Sequence, residues 1–181
     1  MDADRLRAAI NDARRGEPAA WDVLFDRFHS DVHAYALARL GDWSSAEDVV
    51  QETFVAAVHA IKRLRSEREP AVQAWFLHIC RHKLIDHQRR SARGDRASAA
   101  PPVVGPDPEQ LVEQRLLAEE MRTAMMVLTD DQHDILVRRF VLDQSLEEVA
   151  TATRRSVGAV KSLQHRALAS LEKILLARRA A

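Results

Sequence analysis

Residues 91–108, SARGDRASAAPPVVGPDP, hold four of the six prolines and two of the five glycines of this 181-residue chain. Neither a helix nor a packed strand can run through that stretch, because proline has no amide proton and its ring clashes with the preceding turn. The chain must therefore fold as two units on a linker, which fully extended at about 3.3 Å per residue spans on the order of 60 Å. The sequence places the first unit at residues 1–91, the linker at 92–107 and the second unit at 108–181. Each unit is long enough for a small core of its own.

On both sides of the linker the apolar residues recur at helical spacing, and no alternating strand pattern occurs. Trp21, Leu24, Phe25, Phe28, Val32, Tyr35 and Ala36 form one stripe; Ala46, Val49, Val50, Phe54, Ala57, Val58, Ile61 and Leu64 form a second; Val72, Trp75, Phe76, Ile79, Cys80 and Leu84 form a third. Ser44 with Glu47 predicts a capping box at the start of the second of these helices, after the breaker Gly41. Past the linker, Asp107 and Pro108 suit the start of a helix through Leu128, with Leu111, Leu116, Leu117, Met121 and Met125 inward. Thr129 with Gln132 and Ser145 with Glu148 predict capping boxes for helices over 130–141 and 146–152. Ser156 then caps a helix to about residue 177, with Val157, Val160, Leu168, Leu171, Ile174 and Leu175 as its apolar positions. The fold class is all-α, two small helical domains with a helix-turn-helix in the second.

Net charge is zero, yet the signs are segregated. Residues 1–61 carry 6 basic and 11 acidic side chains, 62–96 carry 10 and 4, 97–153 carry 4 and 11, and 154–181 carry 7 and 1. Two basic blocks set between acidic ones suit two separate contacts with a polyanion and leave acidic surface for a basic partner. The repulsive blocks also argue against strong indiscriminate DNA binding. Cys80 is the only cysteine, which excludes a disulfide framework and fits a reducing compartment. No apolar run reaches the roughly 20 residues that cross a bilayer, and the start, MDADRLRAA, lacks a secretory apolar segment. These features read as a cytoplasmic protein with no membrane insertion. Only four of the 27 basic residues are lysines, a composition that hints at a GC-rich bacterial genome.

The segment WFLHICRHKLIDHQRR, residues 75–90, lines an apolar helix with Arg, Lys and His. Aromatic faces stack on unpaired bases while guanidinium and ammonium groups track phosphates, so this composition suits opened DNA. A core helix with a solvated basic edge is the plainer alternative, and Trp75 fits either a base stack or the core. In the second unit, helix 146–152, a short break at 153–155 and a basic helix start fit a DNA-reading helix-turn-helix. Any helical hairpin with a basic surface would share that pattern.

Taken in order, AEDVVQETF (46–54), WFLHICRHKLIDHQRR (75–90), LTDDQHDILVRRF (128–140) and SLEEVATATRRSVGAVKSLQHRAL (145–168) closely resemble the extracytoplasmic-function (ECF) sigma factors of the sigma-70 superfamily. The resemblance covers nearly the whole chain. It implies a bacterial transcription initiation factor that joins core RNA polymerase and directs it to promoter DNA, the first unit corresponding to region 2 and the second to region 4. Asp48, Gln51 and Glu52 match the residues that in the family dock on the clamp helices of the polymerase beta-prime subunit, and the beta flap is a further implied contact. Arg65, Arg68, Trp75, His78, Arg81, His82, Lys83, Arg89 and Arg90 match the part that opens the minus-ten element and captures an extruded base. Arg154, Arg155, Ser156, Lys161, Ser162, His165 and Arg166 match the part that reads the minus-thirty-five element. An anti-sigma factor is a further implied partner.

Three positions depart from the family pattern. Arg154 stands where a turn glycine is frequent, so the turn must accept a left-handed backbone or change shape. Leu163 and Gln164 stand where an Arg-Leu pair is frequent, and Leu163 is read as facing DNA, where its side chain can meet a thymine methyl but cannot bond a phosphate. His82 stands where Asn is frequent.

A helix-turn-helix repressor or activator that is not a polymerase subunit is the main rival, since its carboxy-terminal unit would look much the same. Residues 1–90, however, offer a second basic, aromatic surface where a sensor domain would be needed. A metalloenzyme is a third reading, because His29 with His33 and His78 with His82 are i, i+4 pairs. Neither pair lies in an HExxH motif, and no phosphate-binding glycine loop or nucleophile with its base is present. The sequence therefore predicts no metal site, no cofactor, no catalytic residue and no enzyme.

Overall fold

The computed structural model describes residues 2–92 and 119–179, and among these every regular element is helical. The linker beyond Ala92, and the predicted helix start at Asp107 and Pro108 with Leu111, Leu116 and Leu117, lie outside the described residues. The chain divides into two compact units, Met1–Ser98 and Ala99–Ala181.

In the first unit α1 (Ala3–Arg15) begins at Asp2, whose carboxylate accepts from the Asp4 amide, and ends at Gly16. Gly16 sits at φ 89°, a left-handed conformation that glycine adopts without a Cβ penalty. α2 (Ala19–Leu40) ends in the same way at Gly41, φ 68°. α3 (Trp43–Ala60) starts two residues earlier than predicted. Asp42, in place of Ser44, is its N-cap and accepts from the Ser45 amide at 2.7 Å. An aspartate directly after the Gly41 turn meets the exposed amides first, so the predicted Ser44–Glu47 box does not form and Glu47 lies in the second turn, its carboxylate directed at α2. A 3-10 turn (Ile61–Arg63) and a short loop lead into α4 (Glu69–Ala92).

α2, α3 and α4 pack against one another, and α1 lies on α2. Leu24, Phe28, Val32, Val49, Val50, Val72, Phe76 and Leu77 are fully buried between them, each such side chain contributing about 1.5–3 kcal/mol. The Phe28 and Phe76 rings stack at 5.1 Å, and Phe54 meets Phe76 at 5.0 Å. Thr53, buried in mid-helix, satisfies its hydroxyl by donating to the Val49 carbonyl at 2.7 Å. Two residues of the predicted stripes, Phe25 and Val58, are exposed, whereas Leu77, outside them, is core.

In the second unit the described part of α5 is residues 119–127, followed by α6 (Asp130–Leu136), a π turn (Val137–Val141), α7 (Leu146–Thr153) and α8 (Val157–Arg179). Both predicted capping boxes form, Thr129 with Gln132 and Ser145 with Glu148. One cluster joins Ile135, Val149, Ala150, Val160 and Leu163, and another joins Leu128, Leu136 and Ala167 with Met125, Leu171 and Ile174 against it. Leu163 is therefore a core residue at 7% exposure, which corrects the DNA-facing reading. Leu168 and Met121, predicted inward, are exposed.

The π turn carries a buried polar network. Arg138 donates to Asp134 Oδ1 at 3.0 Å and to Gln144 Oε1 at 3.3 Å, and Arg139 donates to the Gln144 carbonyl. Removing one partner of such a buried pair costs about 3–5 kcal/mol, so this network fixes the end of α6 against the loop that feeds α7.

Candidate nucleic-acid interface

The loop before α4 is held at both ends. Arg14 of α1 donates to Glu67 at 2.5 Å and to the Leu64 carbonyl at 2.7 Å, and Arg27 of α2 donates to Glu69. With its acidic residues turned inward to these arginines, the loop leaves Arg65 and Arg68 exposed. On α4, His78, His82, Arg89 and Arg90 are exposed, while Arg81 and Lys83 are half-buried. Trp75 is also half-buried, its ring set edge-on to Phe76 at 5.0 Å. The indole thus has one side against the core and another at the surface. His82 Nδ1 lies 2.8 Å from the His78 carbonyl, and the two imidazoles meet edge to face at 4.5 Å.

Asp48 and Gln51 lie exposed on α3, but Glu52 is shared with α4. Its Oε1 accepts from Arg90 Nη2 at 2.7 Å, and its Oε2 lies 4.0 Å from Lys83 Nζ. The acidic face of α3 and the basic face of α4 therefore adjoin along one groove, which Arg63 and His87 also line. The sequence reading missed both residues. His87 follows Lys83 by four residues and precedes Arg90 by three, so helical spacing places all three on one face; no sequence signal pairs that face with α3.

In the second unit, α7 ends at Arg154 with φ 55° and ψ 41°, the left-handed backbone required where glycine is absent. Its turn is closed by the Arg155 amide donating to the Ala150 carbonyl at 2.9 Å. Arg155 itself pairs with Asp131 at 2.5 Å. Ser156 caps α8, its Oγ accepting from the Ala159 amide at 3.1 Å. Lys161, Ser162, His165 and Arg166 are all exposed, opposite buried Val160, Leu163 and Ala167. Gln164 faces neither side fully and accepts from Arg139 at 3.4 Å. The four exposed residues, with Gly158 one turn before, form a single polar and basic strip beside a helix amino terminus, a surface suited to phosphates and base edges.

Sequence and structure comparisons bear on both surfaces. The family model described as Sigma-70 region 2 matches residues 24–94, and that described as Sigma-70, region 4 matches residues 124–173. The chain is 32% identical over 186 residues to the ECF RNA polymerase sigma factor SigD of Mycobacterium tuberculosis H37Rv, covering 98% of this chain and 87% of SigD. It is 30% identical over 174 residues to SigL of the same strain, covering 93% of this chain and 96% of SigL. Among solved structures, CnrH in complex with the cytosolic domain of CnrY is 28% identical, with a TM-score of 0.68 over 97% of this chain and 99% of that one.

Proposed function

The chain belongs to the ECF RNA polymerase sigma factors, and from that premise we propose how its residues divide the work of promoter-specific initiation. Its relatives are transcription initiation factors and not enzymes, and the chemistry of RNA synthesis belongs to the polymerase. Residues 1–91 act as the region 2 domain, 92–107 as the connecting linker and 108–181 as the region 4 domain. Asp48, Gln51 and Glu52 dock on the beta-prime clamp helices, where an acidic face meets a basic partner. Arg65, Arg68, Trp75, His78, Arg81, His82, Lys83, Arg89 and Arg90 engage the minus-ten element. Extruding a base there costs a few kcal/mol, which stacking and a pocket must offset. Arg154, Arg155, Ser156, Lys161, Ser162, His165 and Arg166 engage the minus-thirty-five element, and the region 4 domain contacts the beta flap. The factor acts in the bacterial cytoplasm. An anti-sigma factor is a further partner, in keeping with CnrH, a structural relative found with the cytosolic domain of CnrY.

The observation that carries this reading is the groove between α3 and α4, where exposed Asp48 and Gln51 adjoin Lys83 and Arg90 through Glu52. A polymerase-facing acid and a DNA-facing cation side by side suit a factor that touches both at once. Because Gln51 is exposed, Gln51→Lys should change stability by under about 0.5 kcal/mol. Co-purification of this variant with core polymerase should fall well below wild type while its far-ultraviolet circular dichroism stays unchanged. Recovery of core at the wild-type level would overturn the clamp assignment.

A further inference from the structure

Two arginines of α1 reach the loop that leads into α4. Arg7 and Arg14 stand seven residues apart in the sequence, two helical turns, and so share one face of α1. Both meet Glu67, and they take different oxygens of its carboxylate. Arg14 Nη1 donates to Oε1 at 2.5 Å, and Arg7 Nε lies 3.5 Å from Oε2. The other arm of the Arg14 guanidinium, Nη2, donates to the Leu64 carbonyl at 2.7 Å, and Asn11 Oδ1 steadies the fork by accepting from Nη1 at 3.0 Å. One planar group therefore spans the loop from residue 64 to residue 67. The Arg14 and Glu67 side chains are only 27% and 28% exposed, so solvent screens this pair less than an open surface pair.

The loop so held carries cations assigned above to the minus-ten element. Glu67 sits between Arg65 and Arg68 in the sequence, and a carboxylate free to turn outward there would neutralise them and repel phosphate. Its ties to α1 keep it inward, while Arg65 and Arg68 stand exposed. Between α1 and the loop lies a cleft of about 510 Å3, walled by Leu6 and Arg7 on one side and by Arg65, Ser66, Glu67 and Arg68 on the other. That size falls within the range of about 300–1,000 Å3 of clefts that hold small ligands. Guanidinium groups on its walls can stack on the face of an unpaired base and pair with its phosphate.

We propose that Arg14 is a positioning residue for minus-ten recognition: it braces the loop at Leu64 and Glu67, and the shape it imposes on Arg65, Ser66 and Arg68 sets the base preference there. This rests on the assignment of Arg65 and Arg68 to the minus-ten element. The brace comes from α1, which precedes the matched residues 24–94. Arg14 and Glu67 are 53 residues apart, and nothing in the spacing of charges pairs them. A lysine could not replace the arginine fully, because an ammonium is a point charge without the planar fork that holds a carboxylate and a carbonyl together.

Run-off synthesis with purified core polymerase tests the brace, on a mapped promoter and on templates carrying each other base at every minus-ten position. Arg14→Gln should lower transcription from the native promoter by about tenfold, the worth of one charge-assisted hydrogen bond. The loss should be smaller on the substituted templates, so that base preference flattens at the position the loop reads. Arg14→Lys should restore much of the rate but not the preference. Glu67→Gln should flatten preference in the same way, and in the Arg14→Gln background it should add little, because the two residues share one contact. Co-purification with core should stay at the wild-type level throughout, since Asp48, Gln51 and Glu52 are unchanged. Arg14→Lys and Glu67→Gln keep the test readable should Arg14→Gln lose its fold by circular dichroism. A merely structural arginine gives an equal fall on every template with the ranking of bases intact; that result, or a rate and preference unchanged from wild type, would overturn the proposal. Unchanged preference in Arg65→Ala and Arg68→Ala as well would overturn the minus-ten assignment beneath it.

Discussion

Arg154→Gly should make the second unit more stable, although it removes a cation from the proposed DNA surface. At φ 55° and ψ 41° the arginine occupies the left-handed region, where a Cβ costs roughly 1–2 kcal/mol. Glycine removes that strain, and its greater freedom in the unfolded chain takes back about 0.5–1 kcal/mol. The expected net gain is about 0.5–1 kcal/mol, a rise of a few degrees at the roughly 4–8 °C per kcal/mol of a domain this size. The turn itself should survive, because it is closed by backbone bonds from the Arg154 and Arg155 amides to Thr151 and Ala150. Arg154→Ala is the control, since it removes the same guanidinium but keeps the Cβ. Thermal unfolding followed by circular dichroism should rank glycine above both arginine and alanine. If Arg154 contacts a phosphate, both variants should lower the salt slope of promoter binding by about one. Equal stability of the glycine and alanine variants would refute the strain argument.

Three further outcomes follow from the second unit. Leu163→Ala should lower stability by about 2–5 kcal/mol as a core truncation, and Leu163→Arg should unfold the unit; a folded arginine variant by circular dichroism would contradict the burial described above. Gly158 is exposed with no neighbour within 4 Å of an added Cβ, so Gly158→Ala should stabilise α8 by about 0.5–1 kcal/mol while weakening minus-thirty-five binding if DNA approaches the bare backbone. Unaltered affinity would show that DNA keeps clear of this position. Glu148 accepts from the Ser145 amide at 2.7 Å, and this backbone bond, then the Ser145 hydroxyl, hold its carboxyl below the ordinary 4.5. A depressed carboxylate contributes stability that is complete above its unfolded value and lost as pH falls through its folded value. The urea-midpoint gap between wild type and Glu148→Gln should therefore be full at neutral pH and shrink below about pH 4.5; a gap independent of pH would refute the capping charge.

The features legible in the sequence are those that local chemistry decides. Thr129 with Gln132 and Ser145 with Glu148 each satisfy their own helix start within four residues, so their spacing suffices. Ser44 with Glu47 has the same spacing and fails, because Asp42 caps the helix two residues earlier through the Ser45 amide, which leaves Ser44 and Glu47 inside the helix. The expected stripe of α8 is right at Val157, Val160, Leu171 and Ile174, which pack in the core, and wrong at Leu168, which is exposed. Its buried line also runs through Leu163 and Ala167, and alanine is too small to mark a stripe, so the larger Leu168 stands out in its place. The exposed strip of Lys161, Ser162, His165 and Arg166 emerged nonetheless, since charge marks it independently. What no single-chain pattern could reveal is contact between helices. The Glu52 pairing with Arg90 and Lys83, and the approach of Glu47 to His29 and His33, each join α3 to residues far away in sequence.

Initiation through two surfaces joined to one polymerase is tested most directly by run-off RNA synthesis with purified core polymerase, on a template whose start site is mapped after induced expression of the factor. Core polymerase alone should give little specific RNA. Adding the wild-type chain should give one promoter-dependent transcript, and the free chain should protect neither promoter element in a footprint, because two small contacts on a linker bear an ordering cost that the polymerase removes. A strong sequence-specific footprint by the free chain, with no promoter-dependent transcript when core is added, would contradict it.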